Sequence, residues 1–320
     1  MAHLIKIEDY TSRYQHDIQR YLGQFSRLKK ERWESMKREW IKANRSVAEE
    51  TDEETLDDWL EGADRGFFTA TLTRLKNLSG RNRDVNEETE EEKEEEFYKG
   101  KSLEEVKETF YENLFQAQLR WASASLLDES SLDPKYRYDQ TLRYFLRQLP
   151  DNYMVFYYPV FSIGKTPLEM DIILLSPTSI YCVSVLNGDV NSVFESSSGR
   201  YWNEYVHKER RRRVNPVISL NRMSSVLRSL LQDTSLDMQL RRIVLSPESI
   251  IDNRSAGTKT EIVDKRNIDE WFEKRKRNPS PIKKNQLYAV DVLLQHALTN
   301  SFRRRDLFEN YDVKVNEDYL

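Results

Sequence analysis

The chain has 320 residues, 38% apolar and 32% charged, with a net charge of −4 and a mean hydropathy of −0.78. Six Trp, 17 Tyr and 13 Phe are too many aromatics for a disordered chain, so a packed core is expected, and at about 150 residues per domain the length predicts two folding units. A single cysteine, Cys182, excludes an intrachain disulfide and a cysteine-based zinc site. The histidines His3, His16, His207 and His296 have no ligand spacing, and no apolar run approaches the ~18–20 residues that span a bilayer. The opening MAHLIKIEDY lacks the basic start and long apolar core of a secretion signal. The expectation is a cytoplasmic protein with no membrane partner and no cofactor.

Charge is unevenly divided. Residues 1–150 carry 25 basic and 32 acidic side chains, and residues 151–320 carry 25 and 22, so a polyanion partner is to be sought in the second half. From Thr11 to Arg45 the positions Tyr14, Ile18, Tyr21, Leu22, Phe25, Leu28, Trp33, Met36 and Trp40 recur at three- and four-residue steps, which predicts helix. This stripe reads as core or helix–helix interface, with Tyr14, Tyr21, Trp33 and Trp40 also suited to a partner helix or a dimer seam. Shorter helices are predicted at Thr55–Leu60 and Phe67–Leu78. Between residues 87 and 96 stand eight Glu and one Lys, a run expected to be solvated, because like charges one turn apart repel. Ser102-x-x-Glu105 is a capping-box pattern, opening a helix through Val106, Phe110, Leu114, Phe115, Leu119 and Trp121.

After the turn-rich Asp128–Pro134 the grammar changes. Tyr138–Leu149 is an amphipathic helix, Tyr153–Phe161, Ile172–Leu175 and Ser179–Leu186 are strand-like, and Asn187-Gly188 signals a hairpin with Val190–Glu195 as its return strand. Asn215-Pro216 opens a helix with Val217, Leu220, Met223, Val226, Leu227, Leu230 and Leu231 on one face. Arg242–Ser246 is a short strand, and Asp269–Arg275 and Leu287–Leu298 are closing helices.

The order in residues 136–250 resembles the nuclease-related domain, NERD, of the PD-(D/E)xK superfamily of restriction-endonuclease-like nucleases. Asp139 with Leu142, Phe145, Leu146 and Leu149-Pro150 is similar to the family's opening helix, and Glu169-Met-Asp171 followed by Ile-Ile-Leu-Leu-Ser-Pro to its acidic strand start. Ile180–Asn187 with Gly188 resembles the catalytic strand and turn, and Trp202 and Asn215-Pro216 fall at its later Trp and Asn-Pro positions. The resemblance implies an α/β restriction-endonuclease-like core, a mixed sheet flanked by helices, at 135–260. Before it stands a mainly helical domain at 1–130 with an acidic linker at 84–100, and after it a helical closing segment at 261–320.

In such enzymes an Asp and a Glu on adjacent strands hold Mg²⁺ through oxygen ligands, and a Lys two residues beyond the Glu shares its strand face. Asp171 matches the Asp, and Asp139 the acid of the opening helix. Ser184 stands at the Glu position and Leu186 at the Lys position, so the resemblance implies a pseudo-nuclease that binds nucleic acid or a protein. A divergent Mg²⁺-dependent nuclease would have to pair Asp171 with Asp139 or with Glu169, which shares the face of Asp171 on an extended strand. Asp189 and Glu195, beyond the expected hairpin, are the other acids nearby.

Lys208, Arg210, Arg211, Arg212 and Arg213 form a compact basic run before the Asn215 helix, with Tyr201, Trp202 and Tyr205 interleaved. Two readings stay open. The run binds DNA or RNA, with forked arginines on phosphates, aromatic rings under bases and the helix N-terminus adding its anion preference. Alternatively it is a solvated loop or helix face paired with the chain's own acids, and the protein is a scaffold. Lys274–Arg277 and Arg303–Arg305 are two smaller basic clusters. Cys182 reads as a buried packing thiol.

Overall fold

A computed structural model describes residues 1–44, 97–164, 166–207, 209–232, 236, 238–252, 259–277 and 280–303. The helices expected at 55–60 and 67–78, the acidic run 87–96, Lys208, Arg304 and Arg305 lie outside the described residues. The chain divides into two compact units, Met1–Leu22 with Phe115–Leu320, and Gly23–Leu114. This differs from a division by composition, because the first strand and the end of the second long helix belong with the sheet.

Two long helices contribute residues to both units: α1 (Ile18–Ala43) and α2 (Leu103–Trp121). Within Gly23–Leu114 the rings of Trp33 and Phe110 lie 5.2 Å apart. Trp40 donates its indole N–H to the Lys101 carbonyl at 2.8 Å, and Asn44 joins the Tyr98 carbonyl and the Gly100 N–H, both at 2.8 Å. The predicted capping box is formed, with Glu105 accepting from the Ser102 N–H at 2.7 Å. Tyr14, Tyr21, Trp33 and Trp40 are all buried, so these four rings are internal packing. No helix among the described residues is long and apolar enough to cross a membrane.

The larger unit is built on a mixed six-stranded sheet. In chain order its strands are β1 (His3–Ile7), β3 (Met154–Tyr157), β6 (Ile172–Leu175), β7 (Ser179–Val185), β11 (Gln239–Ser246) and β13 (Thr260–Asp264), which is also their spatial order. β3–β6 and β6–β7 are antiparallel, whereas β1–β3, β7–β11 and β11–β13 are parallel. One face is covered by α3 (Gln140–Gln148) and α5 (Ile268–Lys276), with Leu142, Phe145, Leu146, Trp271 and Phe272 packed on Val155, Leu174, Val183, Ile243 and Val263. The other receives α4 (Pro216–Leu230), against β7 and β11, and α6 (Lys284–His296) beside α4. A second sheet has the order β10 (Glu209–Val214), β9 (Tyr201–Val206), β8 (Val193–Glu195), β12 (Ile250–Asp252). β4 (Val160–Ile163) and β5 (Thr166–Glu169) form a hairpin, and β2 (Asp128–Glu129) pairs with β14 (Phe302–Arg303).

Three differences from the sequence reading have physical causes. The run 153–161 is two strands, broken at Tyr158, whose φ is +50°, and Pro159. Asn187-Gly188 does not turn a hairpin. The edge of β7 that a return strand would occupy is taken by β11, and Val193–Glu195 joins the second sheet. Gly188 is required there by crowding, since a Cβ would lie 2.5 Å from Ser192 Oγ, 2.6 Å from Ser249 Oγ and 2.8 Å from the buried Phe194 ring. Gly188→Ala is expected to lower stability by about 1–2 kcal/mol, read from the denaturant midpoint.

The third is β1, whose five residues are all buried, Lys6 included. Its ladder with β3 slips at Ile5, and the orphaned backbone groups find side chains: Gln118 accepts from the Leu4 N–H at 2.6 Å and Ser12 donates to the Ile5 carbonyl at 2.6 Å. Lys6 Nζ reaches the Tyr10 carbonyl and, at 3.1 Å, Thr299 Oγ1. Burial lowers its pKa to about 7, against the opposing pull of Asp9. With the unfolded value at 10.5, the unfolded state holds more protons between pH 7 and 10.5, so this group makes stability rise with pH through that window and flatten below it. Between pH 7 and pH 9 the wild type should gain on the order of 2 kcal/mol relative to Lys6→Met, measured by urea unfolding at both pH values.

Candidate functional site

The positions of the nuclease chemistry come together on the face of the sheet toward α4. Ile172 pairs with Val183 and Ile173 with Cys182, so one further step sets Asp171 opposite Ser184, on the side where α4 delivers Ser224 to 3.8 Å from Cys182 Sγ. Ser184 is buried and Leu186 half-buried, its carbonyl accepting from Ser246 at 2.9 Å. Neither side chain can coordinate a divalent cation as an anion or donate a proton as a cation.

Asp139 is engaged structurally. As the N-cap of α3 its Oδ1 accepts from the Leu142 N–H at 2.9 Å, while Oδ2 accepts from the Tyr157 hydroxyl at 2.9 Å. Asp171 is different, because its Oδ2 is buried without a hydrogen-bond partner. Glu169 ends the β5 strand with an exposed side chain; Arg222 reaches only its carbonyl, at 3.4 Å. Among the described residues no three His, Cys, Asp or Glu side chains are grouped so as to hold a metal ion. Of the candidate donors, Asp139 spends each oxygen on one hydrogen bond and Glu169 is exposed, so Asp171 supplies the one buried oxygen among the three without a partner.

Tyr158 escaped the sequence reading. Its phenol is raised above the usual range first by burial and then by the charges of Asp171 and Asp139. Its positive φ is uncommon for an aromatic residue and ends β3 beside them. A Tyr157-Tyr158-Pro159 break in an otherwise continuous apolar run was the available signal. Cys182 is buried, with its thiol pushed up to about 11 chiefly by burial, so it is packing material.

The basic run is neither loop nor helix face. It is the edge strand β10, paired only with β9, and each of its residues is exposed. Period-two alternation splits it. Arg211 and Arg213 share a face with the buried Trp202 and Glu204 of β9. There Arg213 Nε donates to Glu204 Oε2 at 2.6 Å, and Arg211 donates to Asp189 at 3.0 Å and Glu209 at 3.4 Å. Arg210 and Arg212 share the opposite face with Tyr201, Asn203 and Tyr205, where Arg210 Nε meets Asn203 Oδ1 at 2.9 Å. Half the run therefore belongs to the protein's own structure.

Two further expectations change here. Trp202 is 1% exposed and its indole N–H is spent on the Ser197 carbonyl at 3.0 Å, so it cannot stack on a base; Tyr201 and Tyr205, at 43% and 40% exposure, can. The N-terminus of α4 is closed by Asn215, which accepts from the Val217 N–H at 3.0 Å and ties down the Gly199 and Ser197 carbonyls at 2.8 and 3.2 Å. Asn-Pro is thus a structural cap. Glu204, fully buried beneath the arginine strand, could have been found from the alternation Trp202, Glu204, Val206.

No curated protein and no solved structure matches the chain. Residues 135–247, about a third of its length, match the model of the nuclease-related domain, NERD; the segment that carries Asp139, Asp171, Ser184 and the arginine strand belongs to that family.

Proposed function

We propose that this chain is a catalytically silent nuclease-related protein that binds nucleic acid, DNA or RNA, through the outer arginines of β10. The observation that carries the proposal is the pairing of an emptied centre with an open basic edge. Ser184 and Leu186 replace the groups that would bind metal and assist proton transfer, while Arg210 and Arg212 face outward from an exposed strand. Guanidinium forks at such positions meet phosphate oxygens bidentately. The scaffold reading accounts for Arg211 and Arg213, whose acids come from the same sheet region, and leaves Arg212 without a role.

The competing reading is a divergent Mg²⁺-dependent nuclease. It is favoured by one observation, the unpartnered buried Oδ2 of Asp171, which a cation would satisfy. Gel assays with labelled single- and double-stranded DNA and RNA, in Mg²⁺, Mn²⁺ or EDTA, decide between them. The expected outcome is a mobility shift independent of metal and no cleavage. Arg210→Ala/Arg212→Ala should weaken the shift and lower the salt-dependence slope by about 1.5, at ~0.7–0.9 for each phosphate the pair would neutralise. Metal-dependent cleavage abolished by Asp171→Ala would replace the proposal with the nuclease.

Arg211 and Arg213 must be left intact in that experiment. Removing Arg213 leaves the carboxylate of Glu204 buried without its ion pair, at a cost of about 2 kcal/mol, the Arg end being half exposed. Arg212→Ala should stay within about 0.5 kcal/mol of the wild type, and thermal melts of the two single variants test the contrast.

A further inference from the structure

We infer that the outer face of the β8–β9–β10 sheet is a stacking platform for single-stranded nucleic acid, a deeper statement of the nucleic-acid reading on which it rests. The alternation of β9 buries Trp202, Glu204 and Val206 and turns Tyr201, Asn203 and Tyr205 outward. The register then sets Val214 beside Tyr201, Arg212 beside Asn203 and Arg210 beside Tyr205. Two exposed phenol rings therefore lie along one strand with two exposed guanidinium groups along its neighbour. The exposed Arg200 extends the positive row at the far end, its guanidinium 5.6 Å from the Tyr201 ring centre.

The ring of Tyr205 is anchored from the side by β8. Tyr205 donates to Glu195 Oε2 at 2.9 Å and Asn203 to the same oxygen at 3.1 Å, so the ring of Tyr205 is held rather than swinging freely. Glu195 and Asp252 are a matched pair on β8 and β12, and the cross-strand register puts Glu195 on the same outer face. A polyanion is repelled from that side and drawn to the side of β10, which sets its course along the β9–β10 pair rather than across the sheet.

Geometry selects the strandedness. Tyr201 and Tyr205 are four residues apart on an extended strand, about 13 Å at ~3.3 Å per residue. That is roughly four steps of a stacked strand at about 3.4 Å each. Both rings can be covered together only by bases released from continuous stacking, and a duplex presents no base faces at all. Aromatic rings beside a positive row are how single strands are held without a base code.

The test is fluorescence anisotropy on the full chain with labelled oligothymidylate, oligouridylate and a DNA duplex of the same length. The variants are Tyr201→Ala/Tyr205→Ala, Tyr201→Thr/Tyr205→Thr, which keeps strand preference if the alanines unfold the sheet, Tyr201→Phe/Tyr205→Phe, and Arg210→Ala/Arg212→Ala. Single strands should bind at least tenfold more tightly than duplex. The Ala and Thr pairs should lose about tenfold or more for each ring on single strands with duplex binding unchanged, and the Phe pair should bind as the wild type does. The two single-stranded probes distinguish DNA from RNA as the source of the ligand. Equal affinity for duplex and single strands, undiminished by Tyr→Ala but reduced by the arginine pair, would overturn the platform and leave the nucleic-acid reading standing. No binding of any probe would overturn both.

Discussion

Strand β7 is hydrogen-bonded along both edges, to β6 and to β11, and is covered on both faces, so that every side chain from Ser179 to Ser184 is buried. Such a strand tolerates charge only where a partner or a metal meets it. In a nuclease of this architecture the end of the strand is where the metal supplies that partner. Here the strand runs out through the buried Ser184 to the half-buried Leu186, and the acids nearby are engaged in different degrees. Asp139 caps a helix and holds Tyr157, whereas Asp171 keeps a buried oxygen with no partner. The frame around them is the core of the larger unit.

How much of this was legible in the sequence depended on whether the signal was local. The cap at Asn215-Pro216, the capping box at Ser102 and the apolar face of α3 rest on interactions within a few residues, and each is present. The choice of Asp171, Ser184 and Leu186 came from the family resemblance; the register of β6 with β7 puts Asp171 and Ser184 on neighbouring strands. The hairpin at Asn187-Gly188 failed because its signal describes a turn in isolation, while the edge it would have used belongs to a strand some 55 residues later. Strand β1 was invisible for the opposite reason. Five residues with a lysine among them carry no alternation, and its burial is met by Gln118, Ser12, Thr299 and the Tyr10 carbonyl.

The arginine strand shows why a basic run cannot be read as a single object. Four consecutive arginines in a helix or loop would all be candidates for phosphate, but in a strand they are dealt alternately to two environments. Arg213 neutralises a carboxylate that is wholly buried, and Arg211 braces Asp189 beside the crossing from one sheet to the other. Arg210 and Arg212 stand on the outer face, beside Tyr205 and Asn203. Composition registers the cluster and its sign; the pairing of β10 with β9 decides which members are structural.

Strand β1 also has a temporal consequence. Its partner, β3, lies about 150 residues further along the chain, and at ~5–20 residues per second that partner is synthesised roughly 10–30 s later. For that interval an apolar segment with unpaired backbone groups has no edge to join, and the chain emerging behind it includes a long stretch outside the nuclease-related domain. The β1–β3 ladder spans a longer stretch of sequence than any other in this sheet.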